Sequence, residues 1–95
     1  MKQYTLTNIV HSGRKGVRGE PVTDVKYEYM IGKTVALDIS TLKPYKLFTF
    51  WFKNHPFYRC WHTSEVVAAA ESGDGKELKI ETINTIYEFK SMETL

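Results

Sequence analysis

Apolar and polar residues alternate along most of this 95-residue chain, with the two-residue period of half-buried strands. Tyr4 and Leu6, set among threonines, predict a first strand over residues 2–10. Val25, Tyr27, Tyr29 and Ile31 alternate with Lys26, Glu28 and Met30 and predict a second. Gly32 marks a bulge or tight bend, after which Val35, Leu37 and Ile39 resume the alternation. Residues 40–45, which include Pro44, read as a connection. The clearest strand covers 46–53, where Phe48, Phe50 and Phe52 share one face and Leu47, Thr49 and Trp51 the other. Asn54, His55 and Pro56 supply turn chemistry, since Pro has no ladder donor and Asn tolerates unusual dihedrals. Residues 57–62 then return as the second arm of a hairpin.

Residues 63–72 admit two readings. Ser64 is placed to cap a helix over 64–71 that Gly73 would end. The competing reading is a strand that enters the Asp74-Gly75 turn, with Leu78 and Ile80 on the far arm. The strand is favoured because a hairpin turn needs an extended arm on each side. Ile83, Thr85, Tyr87 and Phe89 form the last strand, on the opposite parity to Leu78 and Ile80. The chain therefore bends or bulges near 82–84. Six or seven short strands with at most one helix predict the all-β class: a single small, partly open barrel spanning 1–95.

Composition narrows the function. An apolar share of 42% and a charged share of 25% exclude a disordered chain, and the length suits one domain with a thin core. A net charge of +2 is too small to grip duplex DNA by charge alone. The single cysteine, Cys60, cannot form an intramolecular disulfide, which points to a reducing compartment. The N-terminus lacks a signal-peptide run, and the apolar stretch 47–52 is too short for a membrane span. A cytoplasmic protein without membrane contact is expected.

Aromatic residues are where the chain departs from the ordinary. Eight of the thirteen lie from Tyr45 to Trp61, and between Asp38 and Glu65 there is no acid, while Lys43, Lys46, Lys53 and Arg59 interleave. Phe48, Phe50 and Phe52 suit a core. Trp51 lies on the opposite face and must find a cover, a ligand or a partner. A second basic element is the loop over 11–21, where Arg14, Lys15 and Arg18 sit among Gly13, Gly16 and Gly19. Flexible glycines with three bases suit a phosphodiester backbone or an acidic protein patch, or simply a solvated surface. Charge is mildly polarised: residues 1–48 carry eight bases and four acids, residues 49–95 five bases and seven acids.

Catalytic and metal chemistry find little support. Gly32-Lys33-Thr34 copies the end of a phosphate-binding loop, but Tyr27 stands where that motif needs its first glycine. His55, Cys60 and His62 lack the paired spacing of a zinc site, and Cys60 with His62 shows no orienting group for nucleophilic catalysis. No metal, cofactor or enzymatic activity is expected.

Trp61-His62-Thr63-Ser64-Glu65-Val66, followed by Ile80-Glu81-Thr82-Ile83-Asn84-Thr85-Ile86-Tyr87-Glu88-Phe89, resembles a pattern of small uncharacterised proteins of Gram-positive bacteria and their mobile elements. In that pattern a Thr-Ser-x-Val strand precedes a terminal Thr-x-Asn-Ser/Thr-x-Tyr strand. The resemblance covers about a third of the chain. It implies an SH3-like β fold and a strand over 63–71, and brings no catalytic residue or ligand.

The leading expectation is a non-enzymatic interaction module that binds a protein partner, or self-associates as a homo-oligomer, through the aromatic hairpin face. The alternative is single-stranded nucleic-acid binding, with basic side chains on phosphates and aromatic rings on bases. The candidate binding residues are Arg14, Lys15, Arg18, Trp51, Lys53, Tyr58, Arg59 and Trp61.

Overall fold

Period-two stretches joined by short turns can bury their apolar faces by curling into a ring. The computed structural model, which describes residues 1–92, has that form. Its six strands are β1 (Lys2–His11), β2 (Thr34–Leu37), β3 (Leu47–Phe52), β4 (Cys60–Glu71), β5 (Glu77–Thr82) and β6 (Thr85–Ser91). Each pairs antiparallel with the next, and β6 pairs with β1 to close the barrel. The all-β class is as expected. The ring is complete where a partly open barrel was anticipated, because β1 and β6 run paired from Tyr4↔Ser91 to His11↔Thr85.

Inward side chains alternate as the pattern required. Phe48, Phe50 and Phe52 are buried together with Tyr4, Leu6, Leu78, Ile80, Tyr87 and Phe89. Phe50 sits at the centre, edge-on to Phe52, Tyr87 and Phe89 with ring centroids 5.7, 5.7 and 5.4 Å away. Bulges interrupt the register once in β1 and twice in β4. At the first β4 bulge, where Thr63 and Ser64 oppose Phe48 alone, Phe48 N–H donates to the Thr63 hydroxyl at 3.0 Å, and that hydroxyl donates to Ser64 O at 2.7 Å. Thr63 thus supplies the partner that the skipped ladder position lacks.

Two local expectations, over 25–31 and at Ile39, are corrected, while the favoured strand over 64–71 is borne out. Residues 25–31 are not a strand: Val25–Glu28 forms the short helix α1, capped by the Asp24 carboxylate, which accepts from Lys26 N–H at 3.1 Å. Val25, Tyr29 and Ile31, which alternation placed inside, are exposed, and Met30, placed outside, is fully buried. Residues 64–71 carry no helix, since they lie within β4 and pair with β5 from Val66↔Thr82 to Glu71↔Leu78. Burial of Val66 and ladder bonding outweigh the helix propensity of the alanines. Ile39 likewise leaves the strand for a 3-10 turn (Ile39–Thr41) begun by the Asp38 side chain.

The basic loop is folded back rather than free. His11 N–H donates to Glu20 O at 2.9 Å, Gly19 N–H to His11 O at 2.9 Å and Val22 N–H to Ile9 O at 3.1 Å. These bonds cover the β1 edge beyond the end of β2. No helix among the described residues is long and apolar enough to cross a membrane.

Candidate interaction surface

The aromatic hairpin presents two surfaces, because strand alternation sends neighbouring rings to opposite sides. On the outer wall, β3 presents Leu47, Thr49 and Trp51, and β4 presents Cys60 and His62 beside them through the pairs Thr49↔His62 and Trp51↔Cys60. Leu47 is 60% exposed and Trp51 43%. Thr49 Oγ1 lies 2.7 Å from His62 Nδ1, and the His62 Nε2 lies 3.8 Å from the Cys60 sulfur. Thr49, undetected in the sequence as an orienting group, therefore anchors the imidazole through Nδ1. A shallow groove of about 310 Å³ runs next to this patch, lined by Met1, Asp38, Thr41, Leu47, Thr49 and Trp51.

The second surface closes one mouth of the barrel. Trp61 is half-buried, donates its indole N–H to the Tyr87 hydroxyl at 3.0 Å, and meets Tyr27 of α1 edge-on at 5.4 Å. Tyr58 fills the space between Trp61, Phe52 and His55, at 6.0, 5.8 and 4.9 Å. Lys26 Nζ stands 5.3 Å from the Tyr27 ring and 6.0 Å from the Trp61 ring. Burial pushes the Tyr87 phenol well above its ordinary value, with the Trp61 hydrogen bond opposing in part. At the outer end of this aromatic row Tyr29 and Phe57 meet edge-on at 5.5 Å, 50% and 70% exposed.

His55 ties the two halves of the mouth together. Its Nδ1 accepts from Phe57 N–H at 3.0 Å and Tyr58 N–H at 3.1 Å, while its Nε2 donates to Tyr29 O at 2.8 Å. Both ring nitrogens are thereby occupied, which keeps His55 out of any ligand set with Cys60 and His62. Among the described residues no group of three or more His, Cys, Asp or Glu is placed to hold a metal ion.

The candidate bases are dispersed. Arg18 makes a bidentate pair with Glu81, at 2.8 and 2.7 Å, and also donates to Ser12 O at 2.8 Å. The pair raises the Arg18 guanidinium and holds the Glu81 carboxyl below the usual carboxylate range. Arg14 and Lys15 are exposed in the loop, and Lys15 lines a cavity of about 290 Å³ with His11, Asp24, Lys26, Tyr27 and Asn84. Lys53 and Arg59 are exposed at the turn end of the β3–β4 hairpin. The structure thus groups Tyr58 and Trp61 at the mouth, leaves Trp51 on the outer wall, and ties Arg18 to β5.

Tyr27, Tyr29 and Lys26 belong to this surface and were missed, because reading 25–31 as a strand placed Tyr27 and Tyr29 in the core. The Asp24 cap preceding Val25 was the signal for a helix start. Searches of family models, of curated proteins and of solved structures found no match to this chain.

Proposed function

We propose that this chain is a non-enzymatic interaction module that binds a protein partner through the outer wall of the β3–β4 hairpin, in a reducing, cytoplasmic setting. The observation that carries the reading is the exposed pair Leu47 and Trp51 on a rigid strand beside a shallow groove. Trp is enriched among the residues that dominate binding energy, and a strand holds it with little ordering cost on association. Thr49, His62 and Cys60 supply a polar margin that can pair with a partner's backbone. The test compares proteins captured from the native host by the wild type and by Trp51→Ala. A partner lost at least tenfold in W51A but retained by an Arg14→Ala, Lys15→Ala double variant supports the reading. A partner set indifferent to W51A sinks it.

The second reading, single-stranded nucleic acid, draws on the cavity at the barrel mouth. Lys15 and Lys26 are cations beside Tyr27 there, and Asn84 Oδ1 is buried without a partner among the described residues. Tryptophan fluorescence during titration with mixed-sequence single-stranded RNA and DNA tests it, because quenching on phosphate contact weakens steeply with salt. Engagement of Arg18 by Glu81 leaves fewer free cations for such contacts.

A further inference from the structure

Beyond Val66, β4 pairs with β5 alone among the described residues. Its pairing with β3 ends at Leu47↔Glu65 and at two bonds, Tyr45 N–H to Val66 O and Val66 N–H to Lys46 O, 2.8 and 2.9 Å long. Its pairing with β5 runs on from Ala68↔Glu81 to Glu71↔Leu78. Ser72 N–H donates to Glu77 O at 2.9 Å, which sets the phase of that ladder. Antiparallel alternation then turns the backbone groups of Ala70 and Ala68 toward β5 and those of Ala69 and Glu71 away from it. Among the described residues, neither Ala69 nor Glu71 has a backbone partner on that outer side.

The comparable edge of β1 is protected by the returning loop, through the bonds of Ile9 and His11 to residues 19–22. Among the described residues no backbone bond covers 68–71, and residues 42–44 flank Val66 to Ala69 only across a groove. Val67, Ala68, Ala69 and Ala70 are all exposed, and the segment contains no proline or lysine to discourage pairing.

We propose that this edge pairs, antiparallel and about a twofold axis, with the same edge of a second copy of this chain. The favoured register sets Ala69 opposite the partner's Glu71, so that every edge-facing N–H and C=O on both copies is matched. Ala70 then meets the partner's Ala70 at the axis, where small side chains allow close approach. Glu71 faces alanine rather than another acid. Lys43, with Leu42 and Pro44, lines a groove of about 220 Å³ beside Val66, Val67, Ala68 and Ala69. Lys43 has no ion-pair partner among the described residues, and the register brings the partner's Glu71 to its side of the edge. The residue nearest Pro44 in this arrangement is the partner's Gly73, which has no side chain to collide. That complementarity of charge and shape favours a copy of this chain over an unrelated extended peptide. The interface makes no use of Trp51, so its failure and the failure of the outer-wall reading are separable.

Sedimentation equilibrium on the full chain tests it, with Ala69→Pro as the informative variant. That change removes an edge-facing donor and leaves the ladder to β5 intact. The wild type is expected to dimerise, A69P to raise the dimer dissociation constant at least tenfold, and Trp51→Ala to leave it unchanged. Cross-linking checks the register even if A69P folds poorly. In a Cys60→Ser background, Ala70→Cys should form an intermolecular disulfide, since facing non-bonded positions lie about 4.5 Å apart at Cα. Ala68→Cys, set opposite the partner's Ser72, should not. A wild type that stays monomeric at about 500 μM overturns the proposal. So does a dimer that a well-folded A69P leaves intact, or cross-linking as ready from position 68 as from 70.

Discussion

Trp61 and Trp51 lie ten residues apart on paired strands and meet opposite fates. Trp61 is bound into the mouth by its hydrogen bond to Tyr87, so Trp61→Phe should cost about 1–2 kcal/mol, read by urea denaturation, by stripping that phenol of its donor. Tyr87 carries the pH consequence. Its folded-state value is raised by burial, so the native chain keeps the proton that the unfolded chain releases near the ordinary tyrosine value. Stability from this group is intact below that range and declines as pH rises through and beyond it. Tyr87→Phe should flatten the alkaline limb of the stability profile; an unchanged slope would mean that Tyr87 ionises freely in the fold. Parity in the sequence separated Trp51 from the three core phenylalanines correctly, because alternation within one strand is a local property. The partners of Trp61 were not legible, since Tyr27 and Tyr87 lie 34 residues before it and 26 after it in the chain.

Among the elements, the strands with alternating branched and aromatic residues were readable, as were the turns at 54–56 and 72–75. The 82–84 bend was readable too, from the change of parity between β5 and β6; Thr82 holds it by accepting from Thr85 N–H and donating to Thr85 O. The segment 25–31 was misread because Asp24 capping and burial of Met30 decide it, and alternation is blind to both. The basic loop was legible as a loop but not as an anchored one, because the Arg18–Glu81 pair joins residues 63 apart. Glu81→Gln should therefore speed trypsin cleavage at Arg14 and Lys15 severalfold at neutral pH, with little change in overall stability. Glu81 titrates below the ordinary carboxylate range in the folded chain, so its contribution is present above that range and disappears as pH falls through the depressed value. The protection factor of the Gly19 amide, its exchange corrected for the intrinsic rate at each pH, should fall along that same acid limb. Protection unchanged by both pH and the substitution would show that the backbone bonds alone hold the loop.

At the scale of the whole molecule, a closed ring removes most strand edges and concentrates what remains for recognition into a few places. The partner wall proposed on β3 and the dimer edge proposed on β4 share no residue, so the two proposals do not compete. The outer wall was visible in the sequence as a parity argument about Trp51; the β4 edge was not, because it arises where β3 stops short of a longer neighbour. The measurement that bears most directly on the account is site-specific photocross-linking in the native host, with the reactive side chain placed at Leu47 and, as a control, at exposed Lys90 on β6. The account predicts a discrete cross-linked protein from position 47 that is absent from position 90 and lost when Trp51→Ala is added. Cross-linking that is equal at the two positions, or that yields nucleic acid from position 47, would contradict it.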